Sequence, residues 1–210
     1  MSTTTVLLIR HGQTDWNVER RWQGHYDAPL NAAGREQACR LARRLAGWPI
    51  EAICSSDLRR AAETAQILGD AVGLTPVLDP AWRELHVGAF EGHTREEIRE
   101  RFPEAWARMS QGFIQAPQGE SLSELGQRVA PRFEQLLVEH EAQMFAIVSH
   151  GATLRSLLGH VLGLDGGQLP RLTLAGNTGL SIVEARPGSP TVITRLNDIT
   201  HLEVGEGCWE

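Results

Sequence analysis

The chain contains no lysine; all 20 of its basic residues are arginine. A P-loop needs its lysine to reach the phosphates, and Schiff-base chemistry needs a lysine amine, so both classes are excluded. What remains is the planar guanidinium, whose fork suits phosphate or carboxylate. Cysteine is scarce as well: Cys39, Cys54 and Cys208 are odd in number and far apart. They offer neither a zinc spacing nor a disulfide framework. No apolar run approaches the roughly 20 residues of a membrane span, and residues 1–5 are polar, without a signal-peptide core. The expectation is a cytoplasmic protein with no membrane partner. A positive balance is also lacking, since the net charge of −6 argues against a nucleic-acid partner. An anionic substrate must then be drawn in by a local cluster of arginines rather than by the global field.

With 210 residues, 41% of them apolar and 22% charged, the chain can bury a full core. It opens with the apolar run Val6–Ile9, which reads as a strand buried on both faces and ends at Arg10-His11-Gly12. Apolar residues at helical spacing predict a helix over Ala32–Leu45, stopped by Gly47 and Pro49. A strand at Ile50–Cys54, a capping cluster Ser55-Ser56-Asp57 and a helix over Leu58–Val72 follow, with a further strand near Thr75–Leu78. Ala81–His93 is mixed, and Arg95–Arg101 reads as a short charged helix. Met109–Glu120 lacks a clean period and reads as a mobile loop or lid. A long helix over Ser121–His140 begins with the capping-box pattern Ser121-x-x-Glu124. Phe145–Val148 is another buried strand, followed by a helix over Leu154–Leu162 and a hairpin of Leu180–Glu184 with Val192–Leu196. Strands alternate with helices and no linker interrupts them. The expected class is therefore α/β with a mainly parallel sheet, in one domain spanning residues 1–210.

Two units stand out. The first strand runs into His11-Gly12-Gln13-Thr14, and a later one runs into His150-Gly151-Ala152-Thr153. Ligands of open parallel sheets bind beyond the carboxyl ends of the strands, so two such histidines on neighbouring strands would face one crevice. A lone histidine at a strand end is usually structural, but the doubled unit argues against that reading for the pair. A metal site that adds His25, His86 and Glu84 is a rival. No ligand spacing supports it, and Arg10 beside His11 would repel a cation. Neutral imidazole is a competent nucleophile at physiological pH. Phosphoryl transfer chiefly needs positive charge around the transferred oxygens, which Arg10, a second arginine and a protonated His150 can supply. One arginine of the Arg59-Arg60 pair, at a helix N-terminus, can point inward, and Arg59 reads as solvated. Glu84, in a Gly-rich loop, is a possible proton donor, although spacing alone leaves its role open.

These residues resemble the histidine phosphatase superfamily, also called the phosphoglycerate mutase-like family. The resemblance rests on Leu8-Ile9-Arg10-His11-Gly12-Gln13-Thr14 with Asp15-Trp16-Asn17. It continues through Gln23-Gly24, Asp27–Leu30, Gly34–Ala38, Ser55–Ala65, Arg83–Gly92, Gly119-Glu120-Ser121 and Val148–Gly151, in the family's order. It implies a three-layer α/β/α sandwich, with His11 carrying the phosphoryl group as phosphohistidine. Arg10, Arg60 and His150 would bind the phosphate, with Gly151 beside them. Glu84 would act as general acid and then base, and Asn17, Gln23 and Gly24 would line the pocket. No cofactor or metal is implied, and the partner is a small phosphorylated metabolite.

The family holds both hydrolases and bisphosphoglycerate-dependent mutases. A mutase shields its phosphohistidine from water with extra structure and basic residues between the acid and the second histidine. Here that segment is short, and Glu84-Leu-His-Val-Gly-Ala-Phe-Glu-Gly92 resembles the phosphatase branch. The expectation is a hydrolase, with the mutase and a catalytically inactive binding module as alternatives. Trp22, His25, His86 and Phe113 can line the leaving-group side or pack the core, and Trp82 and Trp106 are expected in packing. The tail Leu196–Leu202 can lie near the pocket or be solvated. A homodimer built on an exposed apolar edge stays open.

Overall fold

The computed structural model describes residues 3–110, 115–165, 167–174 and 176–203. The first strand, β1 (Thr4–Arg10), serves two cores at once because successive side chains of a strand point to opposite faces. Val6 and Leu8 enter one apolar cluster, Leu7 and Ile9 the other, and all four are fully buried. Its neighbour β4 (Met144–Ser149), and β2 (Ile50–Ser55) on the other side of β4, are likewise largely buried. The unbroken apolar runs in the sequence arise from this two-sided burial.

Six strands form one sheet in the order β3-β2-β4-β1-β5-β6. β3 (Val77–Leu78), β2, β4 and β1 are mutually parallel, whereas β5 (Leu180–Ala185) and β6 (Val192–Asp198) run antiparallel at one edge as a hairpin. One face is covered by α2 (Ala32–Leu45) and α3 (Arg59–Val72), whose Leu41, Leu45, Ala61 and Leu68 pack on Leu7, Ile9 and Ile53. The other is covered by α6 (Leu122–Glu139) and α7 (Gly151–Val161), whose Val129, Phe133, Leu154 and Leu158 pack on Val6, Leu8, Phe145 and Ile147. This is the α/β class with a mainly parallel sheet expected from the alternation, in the three-layer α/β/α arrangement that the resemblance implies. The short α1 (Asp15–Val18), α4 (Arg95–Arg101) and α5 (Pro103–Ser110) lie in the connections, and α8 (Thr200–Glu203) follows β6.

Three local expectations need correction. Ser55-Ser56-Asp57 does not cap α3 alone, because the Arg59 N–H donates to Asp27 Oδ1 at 2.7 Å, across 32 residues. Met109 and Ser110 end a helix, α5, that begins at Pro103 because proline suits a first helical turn. Of the expected loop, residues 111–114 lie outside the described residues. The remainder is tied down, with the Ala89 N–H on the Pro117 carbonyl and the Glu120 N–H on the His86 carbonyl. The helix expected from Leu154 starts at Gly151, directly after His150. Among the described residues no helix is long and apolar enough to cross a membrane.

Phe133 on α6 is fully buried, while Val138, further along on the opposite side of the helix, is 78% exposed. Phe133→Ala should lower unfolding free energy by about 3–5 kcal/mol, and Val138→Ala by no more than about 0.5 kcal/mol. Urea denaturation of both variants checks this, and equal shifts would contradict the assignment of α6 faces.

Candidate active site

The two His-Gly units come together because β1 and β4 are adjacent and in register. Arg10 lies opposite Ser149, and the His11 N–H donates to the Ser149 carbonyl at 2.9 Å. The two imidazoles then sit with ring centroids 5.1 Å apart. Gly12 permits a close crossing of α2, since a Cβ there would lie 2.5 Å from the Gly34 carbonyl oxygen.

His11 is 3% exposed, and its Nδ1 lies 2.7 Å from the Gly12 carbonyl. A carbonyl only accepts, so Nδ1 carries the proton and Nε2 presents a lone pair. Burial first, then the charges of Arg60 and Arg10, hold the ring well below the usual histidine range and keep it neutral. Arg10 donates to the Leu174 carbonyl, and its buried Nε has no partner. The His11 carbonyl is held by Asn177, whose amide also reaches Asn17 Oδ1 at 3.1 Å.

Arg60 is fully buried, yet each of its nitrogens finds an acceptor: the Tyr26 carbonyl at 2.7 Å, the Gly24 carbonyl at 2.8 Å and His150 Nδ1 at 3.2 Å. Burial pushes its pKa down to about 10, so it stays charged at neutral pH. A guanidinium only donates, so His150 Nδ1 accepts and its Nε2–H donates to Ser56 Oγ at 2.8 Å. Burial, Arg60 and His11 hold His150 well below the usual range. The protonated His150 of the sequence reading is thereby corrected: the ring is neutral, and the positive charge of the site resides on Arg10 and Arg60.

Glu84 sits at the open N-terminus of α7, where His150 provides no side-chain cap. Its Oε1 accepts from the backbone N–H groups of Leu85, Ala152 and Thr153, while Oε2 has one long contact, to the Ala152 N–H at 3.2 Å. Gly151 lies between Arg10 and Glu84; a Cβ there would be 3.8 Å from the guanidinium and 3.9 Å from Oε2.

Arg10, His11, Asn17, Gln23, Gly24, Arg60 and Glu84 all line one cavity of about 190 Å3, and His150 and Gly151 lie directly behind it. Gln23 is buried with its Oε1 unpartnered, so an acceptor is left at the wall. Trp22, Leu85, Val87 and Ala152 make the apolar side, and Arg21 stands at the rim, bound to Glu19, Glu97 and the Gly92 carbonyl. His25 and His86 line a second cavity instead, with ring centroids 4.8 Å apart. Phe113 lies outside the described residues. Trp82 is buried in the core and Trp106 packs against it. The tail is anchored: His201 is buried with its Nε2 2.9 Å from Thr178 Oγ1, next to Asn177. Among the described residues no cluster of three His, Cys, Asp or Glu side chains could hold a metal ion. Asn177, Ser56 and Arg21 were missed by sequence reasoning. Asn177 is identifiable only once β5 is known to lie beside β1.

Burial also pushes His201 down to about 4. His11, His150 and His201 therefore all have folded values below the unfolded value near 6.5, so acid protonates the unfolded chain first. Their contribution to stability is full above about pH 6.5 and is lost as pH falls below it. Urea midpoints should decline as pH falls from about 6.5 to 5, above the range where most carboxylates titrate, and His201→Gln should reduce the decline. A flat profile would contradict neutral buried histidines.

The geometry agrees with what the chain is similar to. A family model described as histidine phosphatase superfamily (branch 1) matches residues 6–199. A protein of Serratia proteamaculans named probable phosphoglycerate mutase GpmB is 38% identical over 204 residues, covering 94% of each chain. Among solved structures, YhfR of Bacillus stearothermophilus superposes with a TM-score of 0.88 at 35% identity, covering 95% of this chain and 99% of that one. Mycobacterial glucosyl-3-phosphoglycerate phosphatase, complexed with VO3, gives 0.83 at 30% identity, with 92% and 98% covered. A phosphoserine phosphatase mutant of Entamoeba histolytica, complexed with phosphoserine, gives 0.84 at 30% identity, with 95% and 99% covered. The chain belongs to the histidine phosphatase superfamily, branch 1.

Proposed function

We propose that this protein hydrolyses a small phosphomonoester through a phosphohistidine at His11, without a metal. The observation that carries the reading is the free Nε2 lone pair of a neutral, buried His11 in a cavity walled by Arg10, Arg60 and Glu84. Nε2 attacks phosphorus and the bond to the leaving oxygen breaks. Arg10 and Arg60, fixed before substrate arrives, stabilise the charge on the transferred oxygens. Glu84 supplies the proton to the leaving oxygen from Oε2, the less engaged of its two oxygens. In the second half a water attacks phosphorus, Glu84 takes its proton, the N–P bond breaks and neutral His11 returns. Asn17, Gln23, Gly24 and Gly151 shape the pocket, and neutral His150 orients Arg60.

The name of the Serratia relative favours a second reading, a phosphoglycerate mutase. The cations in and around the cavity favour hydrolysis. With no lysine in the chain, arginines carry its positive side chains, and all of them lie in described residues. The cavity is lined by three, of which Arg21 is already paired with two carboxylates. That leaves Arg10 and Arg60 for a single phosphate. The glucosyl-3-phosphoglycerate and phosphoserine phosphatases among the structural neighbours support a small phosphorylated substrate.

Phosphate release from p-nitrophenyl phosphate and a phosphomonoester panel, in excess EDTA, tests the reading. Turnover should survive EDTA, and His11→Ala should lose about 10⁴-fold or more, as loss of a covalent nucleophile does. No release, together with interconversion of phosphoglycerates, would establish the mutase instead.

A further inference from the structure

The segment that carries Glu84 has no regular structure to hold it. It passes through a short 3-10 turn at Pro80–Trp82 and then runs irregularly to a second turn at Gly88–Phe90. Among the described residues no backbone N–H bonds the carbonyls of Ala81, Arg83 and Glu84. All three instead converge on one side chain of α6. Arg128 of α6 donates to the Ala81 carbonyl at 2.7 Å, the Arg83 carbonyl at 3.0 Å and the Glu84 carbonyl at 3.3 Å. The same guanidinium is forked onto Glu120, at 3.0 Å and 2.9 Å. Glu120 in turn accepts the His86 N–H through its carboxylate, and its own N–H donates to the His86 carbonyl.

We propose that Arg128, locked by Glu120, is the positioning residue that aims the Glu84 carboxyl at the leaving oxygen. This rests on the reading of Glu84 as the proton donor. Three carbonyls turned toward Arg128 leave the Leu85 N–H on the other side of the strand-like segment, where it donates to Glu84 Oε1 at 2.9 Å. Without Arg128, the Ala81 carbonyl loses its donor. The Arg83 and Glu84 carbonyls would keep only Thr153 Oγ1 and His25 Nε2. The segment can then rotate, and the carboxyl turns with it. Lysine keeps the charge but has no planar fork with which to span three carbonyls and a carboxylate.

A neighbouring arginine supplies the control. Arg132, one turn along α6, holds Asp79 at the start of the same segment at 2.7 Å, but it does not touch the carbonyls around Glu84. Its loss loosens the fold without re-aiming the acid.

The leaving group separates positioning from general damage. p-Nitrophenolate leaves without a proton, whereas an alkoxide needs one. The experiment compares kcat/KM, which reports the leaving-group step and not the later hydrolysis of the phosphohistidine, on p-nitrophenyl phosphate and on glycerol phosphate for the wild type, Glu84→Gln, Arg128→Met, Arg128→Lys and Arg132→Met, with thermal melting of each. Glu84→Gln should lose about 10²-fold or more on glycerol phosphate, the scale of a general acid, and only a few-fold on the aryl ester. Arg128→Met should show the same selectivity, with a loss of about 10²-fold on glycerol phosphate, the scale of misplacing a catalytic group by an ångström. Arg128→Lys should fall between it and the wild type, and it serves in its place if the methionine variant does not fold. Arg132→Met should lose equally on both esters, or not at all.

An even loss in the Arg128 variants beside a selective loss in Glu84→Gln would overturn the positioning role alone. An even loss in Glu84→Gln would overturn the acid assignment, and the positioning role with it.

Discussion

The parallel pairing of β1 with β4 is the constraint on which the site depends. It sets Arg10 opposite Ser149 and brings the two His-Gly units to the same sheet edge. The register is enforced by burial, because Leu7 and Leu8 serve opposite cores and a one-residue slip would exchange them. Each such side chain contributes about 1.5–3 kcal/mol on burial, so four consecutive apolar residues in two neighbouring strands hold firmly the strand ends that carry His11 and His150. The chain reversal that begins α7 at Gly151 then points the N–H groups of Ala152 and Thr153 at Glu84. Helix and carboxylate cap one another.

Burial also decides the charge states. Arg60 carries the only charge that could sit so deep, because each of its nitrogens meets an acceptor and a guanidinium does not readily lose its proton. Once that charge is fixed, two imidazoles beside it are forced to be neutral. One becomes an acceptor for Arg60, and the other, turned by the Gly12 carbonyl, keeps its lone pair toward the cavity. Arg60 thus specifies the tautomer of His150, and the Gly12 carbonyl that of His11. Dipoles and charges held this way need no reorganisation when charge develops on a transferred phosphoryl group.

Much of this was legible in the sequence. The elements that matter, β1, β2, β4, α2 and α6, were read nearly to their ends, because two-sided burial and 3.6-residue spacing leave strong patterns. Arg10, His11 and His150 were legible too, since strand ends and glycine-flanked histidines are local signals, whereas Asn17, Gln23 and Gly24 followed only from the family resemblance. What escaped is what crosses long distances. Asp27 caps α3 from another loop, Asn177 holds the His11 carbonyl from the turn that precedes β5, and Arg128 grips a segment 44 residues earlier in the chain. Each is a polar residue on an otherwise ordinary helix or turn, and only the fold gives it a partner. The charge on His150 was misread for the same reason, because its state is set by a guanidinium 90 residues away.

The central claim is a covalent intermediate on His11. Rapid quench of the enzyme during turnover of a phosphate-labelled monoester, followed by digestion and peptide mapping, tests it most directly. The account predicts an acid-labile, base-stable label on the peptide that contains His11. Label on any other residue, or steady turnover with no labelled enzyme even when the second step is slowed by Glu84→Gln, would contradict it.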